Sequence, residues 1–438
     1  MKRWLLASLI GLALLVFLAP GIIGMLAERS LEQQLEQNSR LGPQYAVREL
    51  NFARGWFTSA GRHRVPIADA SLARFIAAVT PGAGQRDAPA LIIETRLEHG
   101  LVPLGSAPRS ASSLLPALAT GVSTLALELP DGSELPVPGV LYSRIGLTGS
   151  ATFRYELPAG SEARDSTRID WQASDVTFSS NSNGRELGIA ANLPGLRFDS
   201  DWQHAEFSAA EIEASSRATP WGFAVGDVRL RLADANWKSA AVANRLASFE
   251  LEANSAVQNA AAQGELSFKL LGLETPDGAY DIELAAGSAD ASAELLGPVI
   301  RGLQYSATNQ QLASGQMYPG FDTDLRRLLS AGFTLNLEGL QLRTPDGDAL
   351  ASIALQLPRL DEVASWPGLL LALSAQTNIE LARARVETPS PFSDQLRMLI
   401  AGGFLVLDGD MYRMQADYAK GKATINGAPL AIPLELLR

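Results

Sequence analysis

The longest uninterrupted apolar run of the chain lies near its start, from Trp4 to Met25, directly after Lys2 and Arg3. At about 1.5 Å per residue, a helix of this length covers a hydrocarbon core of about 30 Å. Basic residues before such a helix favour the cytoplasmic side, which predicts the rest of the chain on the far side of the membrane. A cleaved signal peptide is the alternative, but Ala19 is followed by Pro20, which disfavours cleavage. We therefore predict a single uncleaved transmembrane anchor.

Beyond this run the apolar positions change from helical to alternating spacing. Leu26, Leu31 and Leu35, with Glu and Gln between them, predict a polar helical stalk that a Gly-Pro pair ends. Short alternating runs follow and predict β-strands. The domain ranges predicted from these changes are 1–27 for the cytoplasmic tip and anchor, 28–42 for the stalk, 43–260 for an N-terminal β-rich region, and 261–438 for a C-terminal β-rich region.

One alternating unit occurs twice. Gly264 to Leu284 and Phe333 to Leu355 superpose on a shared Thr-Pro-Asp-Gly with a constant offset of 69 residues. In both copies the apolar phase slips by one residue before the turn, as a β-bulge requires, and Gly339 suits such a bulge. Pro followed by Asp and Gly is typical of a tight turn. Each copy is therefore predicted to be a β-hairpin.

Helical spacing interrupts the strands in two places, within Ala289 to Leu329 and again at Phe392 to Ile400. Because helices and strands alternate so rarely, a parallel βαβ sheet is not expected. The predicted fold class is mostly β with a few helices: an N-terminal transmembrane helix followed by a large antiparallel β-rich body built from hairpins.

Composition excludes several classes of function. A net charge of -11 disfavours nucleic acid, because phosphate binding needs clustered Lys and Arg. With no cysteine, the chain has neither disulfides nor thiolate metal ligands. Its three histidines, His63, His99 and His204, are too far apart along the chain to match the short spacing of metal-ligand motifs. We therefore predict no catalytic residues, no cofactor and no metal site.

Carboxylate pairs could still meet in space, as glycoside hydrolysis requires. The candidates are Glu94 with Glu98, Asp199 with Asp201, and Asp408 with Asp410, and a solvated strand face or turn is the preferred interpretation for each. Isolated tryptophans are interpreted as core residues for the most part. Trp366 precedes an apolar run too short to span a bilayer, which indicates a buried element or an exposed apolar edge.

Four local strings resemble the YdgA-like family of bacterial envelope proteins. They are R-G-W-F-T-S at Arg54–Ser59, E-H-G-L-V-P-L at Glu98–Leu104, S-R-I-G-L-T-G at Ser143–Gly149, and D-Y-A-K-G-K-A-T-I-N-G at Asp417–Gly427. Relatives commonly have D-H-G-P-F-P where this chain has Glu98, Leu101 and Val102. The resemblance implies a single-pass inner-membrane protein with its C-terminal body in the periplasm, and it contains no catalytic motif.

The positions that match the family strings are interpreted as structural. They are Arg54, Gly55, Phe57, His99, Gly100, Pro103, Ser143, Arg144, Gly146, Gly149, Tyr418, Gly421, Asn426 and Gly427. His99 lies at the end of an alternating run and is interpreted as a turn residue, with Gly100 supplying an unusual φ.

Two classes of function follow from these observations. The leading hypothesis is a non-enzymatic binding or scaffolding module for lipid or another envelope protein, because apolar sheet faces accept such partners. The alternative is a hydrolase that acts on envelope glycans with two carboxylates. A continuous apolar groove would favour the first, and two acids about 5 to 9.5 Å apart in a cleft would favour the second.

Overall fold

The computed structural model describes residues 48–55, 57–67, 89–99, 117–129, 132–164, 166–239, 242–308, 317–388 and 393–430. These residues divide into two units, the first drawn from Met1–Gly160 and Gln172–Ala191, the second from Ser161–Trp171 and Asn192–Arg438. The predicted stalk at 28–42 lies outside the described residues. Residue 260 lies in the turn between two long strands of the second unit.

In the first unit, alternating sequences form an antiparallel sheet whose neighbours in order are β1, β2, β3, β4, β5, β6 and β9, with β10 beyond β9. The bounds are β1 (Arg48–Arg54), β2 (Thr58–Pro66), β3 (Ala90–His99), β4 (Ala117–Glu128), β5 (Glu134–Gly146), β6 (Ala151–Leu157), β9 (Ser174–Ser180) and β10 (Glu186–Leu193). Along the chain, β7 (Gly160–Arg164) and β8 (Thr167–Trp171) come between β6 and β9, and residues 161–171 belong to the second unit.

In the second unit, strands of up to 16 residues form a longer antiparallel sheet in the order β13, β14, β15, β16, β17, β18, β19, β20 and β22. The bounds are β11 (Leu196–Asp199), β12 (Gln203–Phe207), β13 (Ala209–Ala218), β14 (Ala224–Ser239), β15 (Ala243–Gln258), β16 (Ala261–Thr275), β17 (Gly278–Ser292), β18 (Phe333–Arg343), β19 (Ala349–Leu357), β20 (Ser374–Ala382), β21 (Val406–Asp408), β22 (Met411–Ala419), β23 (Lys422–Ile425) and β24 (Ala428–Leu430).

Five helices belong to the described part of the second unit. They are α1 (Ala293–Thr308), α2 (Phe321–Ser330), α3 (Trp366–Ala372), α4 (Arg383–Glu387) and α5 (Ser393–Ala401). The helical segments predicted within 289–329 and at 392–400 are confirmed by α1, α2 and α5. Because α1 follows β17, α2 precedes β18 and α3 precedes β20, these three helices lie at one end of the sheet, called here the helix end. The Thr-Pro-Asp-Gly turns lie at the opposite end.

The fold class predicted from the sequence is wrong because it included a transmembrane helix. Among the described residues no helix is both long and apolar enough to cross a membrane, and the predicted segment, Trp4 to Met25, lies outside them. The longest described helix, α1, has 16 residues and includes Glu294, Pro298 and Arg301. At about 1.5 Å per residue it covers only about 24 Å. The architecture that the structure supports is mostly antiparallel β with a few helices.

The duplicated hairpin is confirmed. β16 pairs with β17 and β18 with β19, and each first strand contains one extra residue, between Leu270 and Leu273 and between Leu337 and Leu340. The second bulge lies two residues further from its turn than the first, so the slips do not coincide as the sequence alignment implied. Both turns contain the same hydrogen bond. The Thr275 hydroxyl donates to the Gly278 carbonyl, and the Thr344 hydroxyl donates to the Gly347 carbonyl.

Buried apolar residues of the second unit form a cluster where α1 meets the sheet, and Ile92 is buried separately in the first unit. Phe223, Val225, Ala262 and Ala293 form this cluster, against which Ile300 packs. Elsewhere most apolar residues of the long strands are only partly buried. The described core is therefore local, and it leaves much of the sheet's apolar surface in contact with solvent.

Candidate binding face

Cross-strand pairing collects the apolar side chains of the second unit on one side of its sheet. Residues opposite each other in an antiparallel pair point to the same face, so a chain of pairs defines a row. The row in the middle of the sheet is Val228, Ala253, Leu266, Ala286, Leu337 and Ile353. A second row, towards the Thr-Pro-Asp-Gly turns, is Leu232, Phe249, Leu270, Ile282, Leu342 and Ala349. We call this side the apolar face.

The alternate residues of the same strands form a polar face. Arg229 pairs with Glu252, with its Nε 2.8 Å from the carboxylate, and Arg231 lies 3.8 Å from Glu250. Further along, Arg343 lies 3.5 Å from Glu283. Because each of these ion pairs is solvent-exposed, it contributes little to stability, but together they make this side compatible with water.

The apolar face is not buried by the described residues. Val228, Leu266 and Leu335 expose 41%, 37% and 40% of their surface, on three different strands. Phe249 and Phe268 pack edge to face with ring centroids 5.4 Å apart, so neighbouring side chains shield one another in part. A sheet with one apolar face normally packs that face against a second layer. Among the described residues of the second unit, no second layer covers most of this face.

At the helix end, the apolar face meets α3. The last row there that extends to β22 is Ser288, Leu335, Leu355, Ala375 and Tyr418, and one further pair, Phe333 with Leu357, lies beyond it. The Tyr418 hydroxyl donates a 2.7 Å hydrogen bond to the carbonyl of Leu370 in α3. Since Tyr418 points to the apolar face, α3 lies on that side of the sheet.

The sheet of the first unit has the same two-sided pattern. Its apolar side includes Phe153 and Phe178, which lie opposite each other on β6 and β9 and are both exposed. Its polar side has a groove of about 790 Å³ whose lining includes Arg62, Glu94 and Tyr142. Arg62 is ion-paired with Glu94 at 3.4 Å and with Glu134, so two of the groove's charges neutralise each other.

None of the carboxylate pairs predicted from the sequence has the geometry of a hydrolase. Glu94 and Glu98 lie four residues apart on one strand, which separates them by about 13 Å, beyond the range of a glycosidase pair. Asp408 is ion-paired with Arg413, and Asp410 is exposed at the following turn.

Asp199 is held as a carboxylate by its neighbours. Arg197 donates a 2.6 Å hydrogen bond to it, and the Nδ1 of His204 lies 2.5 Å from its other oxygen. These hydrogen bonds lower the pKa of Asp199 below its ordinary range, and the bond from Arg197 has the larger effect. A general acid needs the opposite shift, so Asp199 does not suit the acid of a hydrolytic pair.

The other histidines do not assemble a metal site in the described structure. His63 lies on β2 opposite Ile93, and its Nε2 is buried without a hydrogen-bond partner among the described residues. His99 ends β3 opposite Ala119. Within the described ranges, no three His, Cys, Asp or Glu side chains are grouped so that they could hold a metal ion.

The first two family strings lie at the ends of strands. Arg54 ends β1, and the Gly55 N–H donates a 2.7 Å hydrogen bond to the Thr58 carbonyl in the hairpin turn. Phe57 follows in that turn and is exposed. Gly100 and Pro103 lie outside the described residues.

The third string ends β5 and forms the turn into β6. Ser143 and Arg144 lie side by side on β5 and so point to opposite faces, opposite Gly121 and Thr120 of β4. The Gly149 N–H donates a 2.9 Å hydrogen bond to the Gly146 carbonyl, and Gly149 has a φ of 85°, which suits glycine.

The fourth string forms two successive turns. Gly421, with a φ of 73°, lies in the turn between β22 and β23. Asn426 and Gly427, with φ of 50° and 78°, form the turn between β23 and β24. The Asn426 side chain accepts from the Gln415 N–H at 2.9 Å and donates to the Phe404 carbonyl at 2.9 Å. These family positions lie in turns and strand contacts.

The apolar face itself was not identified from the sequence as a set of residues. The duplicated hairpin contributes Leu266, Phe268, Leu335 and Leu337 to this face at alternating positions. The strands β14 and β15, which continue the face beyond β16, lie outside the duplicated segment. The alternation of Val228, Leu230 and Leu232 was the available signal. It predicts a strand, but not which other strands share its face.

Comparison with known proteins supports the resemblance found in the four strings. No curated protein matches the chain. No solved structure matches it either. A family model described as "Bacterial protein of unknown function (DUF945)" matches residues 1–433, which is nearly the whole chain. The chain therefore belongs to this bacterial family of unknown function, DUF945.

Proposed function

We propose that this protein is a non-enzymatic binding module of the bacterial envelope that holds the acyl chains of a lipid on the apolar face of its second unit. The observation that supports this most directly is the set of exposed Val228, Leu266 and Leu335 on a continuous apolar surface. Acyl chains need area rather than hydrogen-bond partners, and this face offers aliphatic and aromatic side chains over many strands.

The dimensions of the face suit an acyl chain. From β13 to β22 it extends about 38 Å at about 4.8 Å per strand. Each buried methylene group contributes about 0.8 kcal/mol, so ten of them contribute on the order of 8 kcal/mol before the cost of association.

Retention of lipid by the purified full-length protein tests the proposal. We expect mass spectrometry of an organic extract to detect lipid in molar proportion to protein. The double variant Leu266→Gln/Leu335→Gln should lower this ratio at least about tenfold, because it places two amides under the ligand. A matched control, Leu135→Gln/Leu187→Gln, changes two leucines that are 53% and 52% exposed on strands of the first unit and should leave the ratio unchanged.

Two results would contradict the proposal. One is lipid at the level of a blank extract from the unaltered protein. The other is equal loss from the face variant and from the control. A lipid-free dimer that dissociates in the face variant would instead assign the apolar face to a second copy of the chain.

The proposed compartment is the periplasm, with the body of the protein outside the inner membrane. The support for it is the resemblance of the four sequence strings to a family of bacterial envelope proteins. A reporter enzyme that is active only in the periplasm, fused after Arg438, should be active in cells. An inactive reporter in a stable, full-length fusion would contradict this location.

A further inference from the structure

The short helix α3 is fixed by one buried side chain and by hydrogen bonds to residues outside it. Ser365 caps it by accepting a 3.3 Å hydrogen bond from the Gly368 N–H, and Pro367 occupies the first turn, where no amide is needed. Leu369 is buried, with 4% of its surface exposed. The helix is therefore fixed to the protein even though it is only one to two turns long.

The other large side chains of this segment point outward. Trp366 exposes 43% of its surface and Leu371 exposes 50%, and Val363 and Leu370 are also exposed. Single exposed leucines are ordinary, but four exposed apolar side chains within nine residues form a patch. We call Val363, Trp366, Leu370 and Leu371 the α3 patch.

The α3 patch is continuous with the apolar face. Tyr418 ends the last apolar row that extends to β22 and bonds through its hydroxyl to Leu370. Leu371 packs beside Gly421 so closely that a Cβ on this glycine would lie 2.6 Å from the leucine Cδ2. An acyl chain leaving the apolar face at the helix end would therefore reach the α3 patch next.

The tryptophan of the patch has its polar atom already satisfied. Its Nε1–H donates a 2.7 Å hydrogen bond to the Asp322 carboxylate, which leaves the apolar ring at the surface. Tryptophan with a bonded polar tip and an exposed ring is typical of protein surfaces at the headgroup level of a bilayer.

The charges around the patch favour one kind of lipid surface. Residues 360–374 contain two exposed acids, Asp361 and Glu362, whereas the exposed Lys420 and Lys422 flank Gly421, which lies against Leu371, so charges of both signs border the patch. Anionic lipid attracts basic segments and repels acidic ones. The patch therefore fits a zwitterionic bilayer.

We propose that the α3 patch is the surface through which this protein contacts a zwitterionic phospholipid bilayer, next to the open end of the apolar face. Contact with the bilayer follows from the patch alone. Passage of acyl chains between bilayer and face rests, in addition, on the proposed function.

A single-cysteine probe tests the contact, since the natural chain has no cysteine. Full-length Leu371→Cys, labelled with an environment-sensitive fluorophore and reconstituted in phosphatidylcholine vesicles, should show a blue shift and quenching by nitroxide-labelled lipid. The control Leu187→Cys carries the same label at an exposed strand leucine of the first unit and should show neither. Vesicles containing phosphatidylglycerol should give no stronger quenching of the Leu371 label, because the acids and the lysines that border the patch balance each other.

The double variant Leu370→Gln/Leu371→Gln separates the two proposals. It should slow lipid transfer to acceptor vesicles about tenfold, because two leucines no longer enter the bilayer, while the lipid retained by the purified protein stays the same. No quenching at Leu371, or equal quenching at both labelled sites, would overturn the contact. Quenching at Leu371 in a protein that retains no lipid would overturn only the proposed function.

Discussion

The backbone N–H of Gly272 donates a 2.7 Å hydrogen bond to the carboxylate of Asp281, at the point where β16 has one residue more than β17. Gly272 has a φ of 63°, so its amide is turned out of the regular ladder of β-sheet hydrogen bonds. The aspartate thus satisfies a donor that the bulge removes from the sheet. The apolar rows on either side of the bulge keep their register because this irregularity is stabilised.

Asp281→Ala should lower the free energy of unfolding by about 2 kcal/mol, because it leaves the partly buried Gly272 amide without its charged acceptor. Asp281→Asn keeps an acceptor and should cost less. Urea denaturation measures both. Asp277→Ala, an exposed aspartate in the adjoining turn, is the control and should change stability by less than about 0.5 kcal/mol. Equal losses at positions 281 and 277 would contradict the role of the bond.

The glycines of the two bulges should respond differently to substitution. Gly339, with a φ of 76°, has no heavy atom within 4 Å of an added Cβ, so Gly339→Ala should cost only the backbone strain of about 1 kcal/mol. At Gly272 the added Cβ would lie 2.7 Å from the Ala247 Cβ, so Gly272→Ala should cost about 2 kcal/mol more.

Thermal unfolding of both variants checks the prediction, and Ala247→Gly provides the control. Combined with Gly272→Ala it should recover the part of the loss due to overlap, giving a positive coupling in a double-mutant cycle. If the double variant loses the sum of the single losses, overlap with Ala247 is not the cause.

Asn426 should be important for the stability of the C-terminal turns. Asn426→Ala removes side-chain bonds with Gln415 and Phe404 and places alanine at a φ of 50°, so a loss of about 3 kcal/mol is expected. Asn426→Gly loses the same bonds without the strain and should cost about 1 kcal/mol less. Denaturant titration compares the two variants, and identical losses would exclude backbone strain as a factor.

Stability should fall at acid pH in part through Asp170. Hydrogen bonds from Arg168, at 2.8 Å to one carboxylate oxygen, and from Ser161 lower the pKa of Asp170 from 3.8 to about 2. Because the folded pKa lies below the unfolded one, the contribution is fully present above about pH 4 and is lost as pH falls towards about 2.

The urea midpoint, measured from pH 5 to 2, should therefore fall less steeply in Asp170→Asn than in the unaltered protein. Asp201→Asn makes the same change of charge at an exposed residue and is the control for net charge. An unchanged slope in Asp170→Asn, or the same change in both variants, would contradict a specific contribution from Asp170.

Local chemistry explains which elements could be predicted. In each turn the proline, Pro276 or Pro345, fixes its own φ, and the glycine two residues later, Gly278 or Gly347, accepts a positive φ. The two hairpins therefore follow from a few neighbouring residues. The helices α2 and α5 were predicted for a similar reason, because helical spacing is a short-range signal. The second bulge lies at Gly339, as its phase slip predicted, whereas the first lies between Leu270 and Leu273, two residues closer to its turn than predicted.

The candidate site was less predictable because it depends on distant pairs. Val228 and Leu337 lie on one face only because four pairings connect β14 to β18. The sequence around Trp366 allowed either burial or exposure, and the packing of Leu369 together with the bond from Trp366 to Asp322 sets which neighbours face solvent. In the same way, the spacing of Glu94 and Glu98 left a catalytic pair open until both were found on a single straight strand.

By itself the sequence determined the β-rich class, the duplicated hairpins and the family, because alternation, turn residues and motifs are properties of neighbouring positions. Only the tertiary structure decided that the alternating residues of successive long strands align into one exposed apolar face that ends at α3. Strand register sets that alignment, and a shift of one residue would turn every side chain of a strand to the opposite side.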